Sequence, residues 1–206
     1  IEDSIMFLNQ INEYQEGRLT PTAFVQSTYN AIAGMVSMIT NNKGYNATHV
    51  HRGQAFENVV LDAAMLLREN PEHQYLIGGV DEISVKNHRL VSLAGWYRNE
   101  PASNFELYST DATGTLPGEG AAAFIVNNKK ENATAQLKAL HMVSSNNEKY
   151  VAEQFKLFLE KNGGAETIDL FLQGENGDNR LTKYYTGCEN LMNPSTTVAR
   201  YKHAFG

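Results

Sequence analysis

The side chains best suited to bond-making chemistry in this sequence are those of one cysteine and six histidines. Cys188 is the single cysteine, and its place in a predicted helix favours a small buried residue over a reactive nucleophile. His49 and His51 stand two positions apart on a predicted strand, so both imidazoles can lie on one side of it. A His-x-His pair can bind zinc. Since no third ligand stands at a fixed spacing, we expect neither a metal nor another cofactor.

Regular patterns of apolar residues surround these histidines. The strand predicted over residues 46–51 leads into a helix over residues 54–70, where apolar residues recur at helical spacing until Pro71 stops the pattern. Residues 74–80 form a compact apolar strand. A helix followed by a strand in this order predicts a layered α/β fold, with a mainly parallel or mixed sheet flanked by helices.

The rest of the chain continues this alternation. Residues 24–40 are predicted to form one buried helix, and residues 86–116 to be irregular. No low-complexity linker or short repeat interrupts the chain. We therefore expect residues 1–206 to form a single unit that lacks pieces of the complete fold at both ends. The other predicted elements are helices over residues 5–17, 149–161 and 184–192 and strands over residues 121–126, 136–143 and 168–173.

The composition argues against several classes of protein. A net charge of −6 disfavours a sequence-independent grip on the backbone of nucleic acid. No apolar run approaches the roughly 20 residues that a membrane-spanning helix needs. A single cysteine excludes an intrachain disulfide. The first residues are polar and give no sign of a signal peptide, so we expect a cytoplasmic protein. Because the chain begins at Ile1 rather than at a methionine, we expect that its original N-terminus has been removed.

Short glycine-containing motifs follow one another along the chain. They are Asn30 and Gly34 after Pro21, Gly44-Tyr45-Asn46, Gly78-Gly79-Val80-Asp81-Glu82, Gly118-Glu119-Gly120-Ala121-Ala122 and His203-Ala204-Phe205-Gly206. In their order and spacing these motifs resemble the β-ketoacyl-acyl-carrier-protein synthases of the thiolase-like superfamily. The resemblance is closer to a divergent ketosynthase-like group with Gln-Ser-Thr-x-Asn and His-Arg-Gly stretches, here residues 26–30 and 51–53.

The resemblance implies three catalytic positions, of which this chain keeps one. In the family, a cysteine thiolate at a helix N-terminus takes the acyl chain, and two histidines polarise the malonyl thioester. Gly53 stands at the cysteine position when residues are counted from the motifs on either side, and a glycine cannot be acylated. Gly174 stands at the first histidine position, and His203 at the second. Glu175, which follows Gly174, is expected to be a solvated turn carboxylate.

Several further roles follow from the same resemblance. Residues 46–51 are expected to lie at a dimer seam. Four basic residues are candidates for docking an acidic acyl carrier protein, namely Arg52, Arg68, Lys86 and Arg89. Four apolar residues are candidates for lining an acyl tunnel, with an ordinary core position as the alternative for each: Phe24, Met35, Met38 and Phe56.

Three functions are compatible with this pattern. The first is a non-catalytic or chain-length-determining subunit of fatty-acid or polyketide-type biosynthesis, which pairs with a ketosynthase or with itself as a dimer. The second is an enzyme that decarboxylates malonyl thioesters, or transfers acyl groups, without an acyl-enzyme. There, His203 and backbone donors near Gly53 would stabilise the thioester oxyanion. The third is a scaffold that docks an acyl carrier protein. The family activity is acyl transfer by 3-oxoacyl-[acyl-carrier-protein] synthases, and the missing cysteine leaves open whether this chain is an enzyme.

Overall fold

The computed structural model describes residues 2–14, 17, 19, 21–100 and 102–205, without the side chain of Phe205. The chain divides into two compact units. Unit 1 comprises Ile1–Val80, Ser84–Asn87 and Ala121–Lys129, and unit 2 comprises Asp81–Ile83, His88–Gly120 and Lys130–Gly206. The elements in chain order are α1 (Glu2–Tyr14), α2 (Pro21–Gln26), α3 (Ala31–Ile39), α4 (Ala55–Glu69), β1 (Tyr75–Asp81), α5 (Val85–Leu93), a 3₁₀ turn (Asn104–Glu106), β2 (Gly120–Val126), α6 (Glu148–Lys161), a second 3₁₀ turn (Ala165–Thr167), β3 (Leu170–Gln173), α7 (Asn179–Glu189), β4 (Thr197–Arg200) and α8 (Lys202–Phe205).

Helix α4 and the paired strands β1 and β2 supply buried apolar contacts of unit 1. The helix predicted from its apolar spacing is confirmed, and it buries Ala63 and Leu67. Strand β1 pairs with β2, and the ring of Phe56 in α4 lies 6.3 Å from that of Phe124 in β2. Beyond β2, Asn128 donates its side-chain amide to the carbonyl oxygen of Leu67 at 3.0 Å. The strand pair and the residues that follow it thus contact α4 near both of its ends.

The single buried helix predicted over residues 24–40 was wrong, because the chain turns between α2 and α3. Ser27 donates its hydroxyl to the carbonyl oxygen of Phe24 at 2.6 Å, and Thr28 donates to that of Val25 at 2.8 Å. Such side-chain hydrogen bonds satisfy carbonyls that a continuing helix would use, and they favour a break. Helix α3 also carries no buried residue.

Residues 46–51 form an irregular segment, so the strand predicted there was wrong. A strand needs a partner for its backbone hydrogen bonds, and no strand among the described residues pairs with this segment. Side chains hold it instead. Asn46 donates its amide to the carbonyl oxygen of Ala33 at 2.9 Å, and Thr48 donates its hydroxyl to the side-chain oxygen of Asn30 at 2.7 Å.

Unit 2 contains a parallel pair of strands, β3 and β4. Gln173 at the end of β3 lies opposite Arg200 at the end of β4, so both strands finish at the same edge. The ring of Phe155 in α6 lies 5.6 Å from that of Phe171 in β3, and α6 packs against α7. In open parallel sheets the carboxyl edge is where ligands bind. A ligand-binding site in unit 2 is therefore expected at this edge.

A single arginine ties the long loops of unit 2 together. The guanidinium of Arg98 donates to the carbonyl oxygens of Gly114 at 3.2 Å, and of Leu107 and Gly177 at 2.9 Å each. It also donates to the hydroxyl oxygen of Thr110 at 2.8 Å. Because all four acceptors are loop residues, this one side chain holds several loop segments of unit 2 together.

Three further element predictions were wrong, each for a local reason. Residues 136–143 form no strand, since they have no ladder partner among the described residues. Helix α5 occupies residues that were predicted to be irregular. Helix α7 begins at Asn179 rather than at residue 184, because Asp178 caps it by accepting the backbone amide of Arg180 at 3.1 Å.

The mixture of helices with paired strands confirms the α/β class. That residues 1–206 form a single ketosynthase-like unit stays a prediction. Within the part of the chain that the structure describes, no helix has the length and apolar character needed to cross a bilayer.

Two neighbouring glycines of β1 make the strand pairing testable. A Cβ added at Gly78 would lie 2.5 Å from the carbonyl oxygen of Ala122, whereas one at Gly79 meets only a ring atom of Phe56 at 4.0 Å. We expect Gly78→Ala to lower the free energy of unfolding by about 1–3 kcal/mol, because the strands must separate. Gly79→Ala should change it by less than about 0.5 kcal/mol. Urea unfolding of both variants measures this, and equal losses would contradict the pairing.

The cap of α7 predicts a pH dependence of stability. The Asp178 side chain is 2% exposed and lies 2.9 Å from Nε of Arg180. Hydrogen bonds from Arg180 hold the pKa of Asp178 below its ordinary value of 3.8. A depressed pKa stabilises the fold at pH values above about 4, and this contribution is lost as the pH falls through the folded pKa. Between about pH 5 and about pH 2, the free energy of unfolding in urea should fall more steeply in wild type than in Asp178→Asn. Parallel curves would contradict this.

Candidate functional site

Backbone amides just before α4 point at the imidazole of His51. The amide nitrogens of Gly53 and Gln54 lie 3.2 Å and 3.1 Å from Nδ1 of His51. A ring nitrogen that accepts N–H donors carries no proton, so this ring holds its proton on Nε2. Free amides at a helix N-terminus would attract an anion. Next to the position predicted for the nucleophile, Nδ1 of His51 accepts two amides instead.

Gly53 itself leaves open space. A Cβ added there would meet no heavy atom within 4 Å, and its backbone lies outside the left-handed region. No neighbour therefore requires a glycine at this position. The family nucleophile is absent because its side chain is absent, and not because another group has filled its space.

His49 and His51 do not act as a pair. Nε2 of His49 lies 3.1 Å from Oδ2 of Asp62 in α4, and Tyr45 donates its hydroxyl to the same oxygen at 2.8 Å. The hydrogen bond to Asp62 raises the pKa of Tyr45. In the described residues, no three histidine, cysteine, aspartate or glutamate side chains come together as a metal site. The contacts of His49 instead fasten residues 46–51 to α4.

Two tyrosines occupy the space around Gly174, the position predicted for the first histidine. A Cβ built on Gly174 would lie 3.3 Å from the hydroxyl oxygen of Tyr201, which follows β4. Tyr185 of α7 donates its hydroxyl to the carbonyl oxygen of Gly174 at 3.1 Å. Burial, helped by the nearby charge of Glu175, raises the pKa of Tyr185 and keeps the phenol protonated. A side chain at position 174 would therefore require the Tyr201 hydroxyl to shift by a few tenths of an ångström.

An ion network lies at the carboxyl edge of β3 and β4. Nε of Arg200 lies 2.5 Å from a carboxylate oxygen of Glu175, and its Nη2 lies 3.3 Å from one of Glu189. Gln173 is buried and donates its side-chain amide to the same Glu189 oxygen at 2.8 Å. Glu175 is 8% exposed. The prediction of a solvated turn carboxylate was therefore wrong, because the strand end directs Glu175 toward Arg200.

His203 lies in α8 against Tyr108. The two rings meet edge-on at 5.6 Å, and the backbone amide of His203 donates to the Tyr108 hydroxyl oxygen at 3.2 Å. The guanidinium of Arg200 also lies over the Tyr108 ring, at 5.7 Å. Nδ1 of His203 is buried and has no hydrogen-bond partner among the described residues. Leaving such a nitrogen unpaired costs about 1–3 kcal/mol. Gly206, which ends the motif, lies outside the described residues.

Cys188 is a poor substitute for the missing nucleophile. It lies on α7, in unit 2, and is half-buried. Burial raises the pKa of its thiol. Since the thiolate is the reactive form, a raised pKa lowers reactivity at neutral pH. This agrees with the prediction that Cys188 is a packing residue.

The four candidate tunnel residues lie on three helices of unit 1. Phe24 lies on α2, with its ring 5.4 Å from that of Phe7 in α1. Met35 and Met38 lie on α3, and Met38 is 82% exposed. Phe56 lies on α4 and is also exposed. None of the four is a core residue of unit 1. Their role in lining a tunnel stays a prediction.

The predicted catalytic positions divide between the two units. Gly53 belongs to unit 1, and Gly174 and His203 belong to unit 2. Tyr185 and Tyr201, which lie beside this glycine, were not predicted from the sequence. An available signal was the position of Tyr201, two residues before the last motif begins at His203. Predicting that Tyr201 lies beside Gly174 requires the parallel pairing of β3 with β4, and β4 was not predicted.

Comparison with known sequences places most of the chain in one family. Residues 1–155 match the family described as Beta-ketoacyl synthase, N-terminal domain. No curated protein sequence matches the chain significantly.

Solved structures similar to this one include ketosynthases. The ishigamide ketosynthase/chain length factor superposes with a TM-score of 0.65 at 17% identity, over 95% of this chain and 53% of that one. A β-ketoacyl synthase from Burkholderia phymatum STM815 gives 0.70 at 16% identity, over 98% and 54%. The module 6 ketosynthase of the bacillaene synthase from Bacillus subtilis 168 gives 0.65 at 15% identity, over 88% and 36%. At these identities the likeness establishes the fold alone, and the chain spans about half the length of the first of these proteins.

Proposed function

Because the chain belongs to the β-ketoacyl synthase family through its match to that N-terminal domain, we propose that it is a non-catalytic, chain-length-determining partner of a ketosynthase. The observation that carries the proposal is the start of α4. There Gly53 offers no nucleophile, and His51 accepts the amide hydrogens of Gly53 and Gln54. The likeness to the ishigamide ketosynthase/chain length factor supports the same role.

In this role the cysteine comes from a second subunit. That ketosynthase forms a dimer with this chain in the cytoplasm and accepts acyl groups from an acyl carrier protein of fatty-acid or polyketide-type biosynthesis. The chain contributes side chains that limit the length of the growing acyl group. Phe24, Met35, Met38 and Phe56 are the proposed lining, and their exposure in unit 1 supports contact with something beyond that unit.

The start of α4 counts against an acyl transfer that uses backbone donors near Gly53. An oxyanion is stabilised by donors that are free to meet it. Here the amide of Gly53 already has an acceptor in Nδ1 of His51. Carrier-protein docking without a ketosynthase partner has no specific observation in its favour.

Restoring a thiol tests the assignment of Gly53. In full-length protein, Gly53→Cys should place a thiol in open space beside the first amides of α4, where thiolates are stabilised. We expect one acyl adduct per chain after incubation with hexanoyl-pantetheine, measured by intact-protein mass spectrometry. Adding His51→Ala should speed acylation, because the imidazole no longer competes for the amides.

Gly34→Cys is the matched control for that experiment. Position 34 also has no heavy atom within 4 Å of an added Cβ. It lies inside α3, however, where its amide donates to the carbonyl oxygen of Asn30 at 2.8 Å, and not just ahead of the first residue of a helix. We expect no adduct on this variant. Equal acylation of the two variants, or an adduct on the wild-type chain, would contradict the assignment.

The partner role itself is tested by reconstitution. Full-length protein is mixed with malonyl- and acyl-carrier protein, with and without a cysteine-bearing ketosynthase of the same organism. We expect neither an adduct on this chain nor malonyl loss when it is alone, and condensation when the two subunits are together. Malonyl loss with this chain alone would instead favour a decarboxylase.

Substituting Met38→Trp in the reconstituted pair should shorten the product by narrowing the proposed tunnel, as measured by mass spectrometry of the released chains.

A further inference from the structure

One face of α6 and the extended segment before it line a cavity in unit 2. The segment contributes Leu140 and His141, and the helix contributes Gln154, Phe158 and Lys161. Residues three and four apart lie on the same side of a helix, so these three side chains form one wall. The cavity has a volume of about 190 Å³. A cavity of about 150 Å³ holds a benzene ring, so this one has room for a ring with substituents.

The middle of the cavity is aromatic and apolar. The rings of His141 and Phe158 are nearly parallel, with 15° between their planes and 5.9 Å between their centroids. Rings stacked with such an offset overlap only in part, so the exposed imidazole keeps an uncovered area of its face. Leu157, which also lines the cavity, is 50% exposed. A flat apolar ring placed here would extend the stack and remove apolar surface from water.

The two ends of the cavity carry polar groups that other described residues do not satisfy. At one end Lys161 forms no ion pair within the described part of the chain. Beside it, Asn162 donates one amide hydrogen to the carbonyl oxygen of Phe158 at 2.6 Å, which leaves the second amide hydrogen for a ligand. At the other end, the side-chain amide of Gln154 has no hydrogen-bond partner in the described residues. Gln154 and Lys161 are about 10 Å apart along the helix, at a rise of about 1.5 Å per residue.

The charges of the lining distinguish the two ends. The described residues that line the cavity include Lys161 but no carboxylate. The nearby carboxylate of Glu160 lies 3.8 Å from the ammonium of Lys156 and so has its own cation. The end at Lys161 therefore attracts an anion. The end at Gln154 is neutral, and an amide that both donates and accepts suits a hydroxyl group.

We propose that this cavity binds a single-ring aromatic carboxylate with a hydroxyl group opposite the carboxylate. The carboxylate accepts hydrogen bonds from Lys161 and Asn162. The ring stacks on the uncovered face of His141, which Phe158 supports from the other side, and the hydroxyl meets the amide of Gln154. None of the predicted catalytic positions lines the cavity. The inference therefore goes beyond the proposed partner role and does not depend on it.

The test of the anionic end is a binding measurement on the full-length protein. The probe is 4-hydroxybenzoate, and its dissociation constant is measured by calorimetry. Lys161→Gln should weaken binding about tenfold, the equivalent of one charge-assisted hydrogen bond. Lys156→Gln is the matched control, because it removes the same charge from the same helix but its ammonium faces Glu160 and does not line the cavity. Binding by that variant should equal wild type.

The test of the stack uses a second ligand that keeps both polar groups and lacks the aromatic ring, trans-4-hydroxycyclohexanecarboxylate. Wild type should bind the aromatic ligand about fivefold more tightly, as expected for one stacked pair. His141→Leu keeps an apolar contact at an exposed position, where the change should not impair folding. In this variant the two ligands should bind alike. A merely structural role for His141 would weaken both ligands equally and would overturn the proposal.

Three further outcomes would also overturn it. The first is the absence of saturable binding by 4-hydroxybenzoate. The second is equal binding of 4-hydroxybenzyl alcohol, which lacks the carboxylate. The third is displacement of 4-hydroxybenzoate by hexanoyl-pantetheine, because it would place the ligand in the proposed acyl tunnel. Condensation with the ketosynthase is measured separately, so failure of this inference leaves the partner role standing.

Discussion

A helix begins with amide hydrogens that no residue of the helix accepts, and in this chain the side chain of His51 accepts the pair ahead of α4. For Nδ1 to reach the amides of Gly53 and Gln54, the backbone has to turn tightly after residue 51. Residues 46–51 lead into that turn, and hydrogen bonds from Asn46 and Thr48 hold them in place. These two amides therefore have an acceptor that does not bring the negative charge of a catalytic thiolate.

The second unit depends on a different constraint, the common edge of two parallel strands. Because β3 and β4 end together, Gln173 and Arg200 lie side by side, and the residues that follow them emerge next to one another. This is why Gly174 meets Tyr201 and why Glu175 meets Arg200. Removing water from Glu175 would be costly without that cation, since a buried carboxylate needs a partner. The ion network and the approach of Tyr201 to Gly174 are thus two results of one pairing.

Elements whose sequence signal is local were predicted correctly. Predictions failed for segments whose structure depends on a pairing partner elsewhere in the chain. Helix α4 and strand β1 were found because apolar spacing and a following proline or glycine act within a few residues. Residues 46–51 have the alternation of a strand, but a strand exists only with a neighbour to pair. In the same way, Gly174 was identified from its motif, whereas Tyr201 became visible only once β4 was placed beside β3. The family was predicted from motif order, which needs no contacts at all.

The two glycines at catalytic positions are not equivalent losses. The space beside Gly53 is open, so the missing thiol could be supplied by one substitution without moving a neighbour. A Cβ at Gly174 would lie 3.3 Å from the Tyr201 hydroxyl oxygen, so a side chain there requires Tyr201 to shift by a few tenths of an ångström, and Tyr185 donates to the carbonyl oxygen of the same residue. Changes in contacting residues are coupled. A thiol at position 53 can therefore be introduced independently of its neighbours, whereas the effect of a histidine at position 174 depends on whether Tyr201 can move.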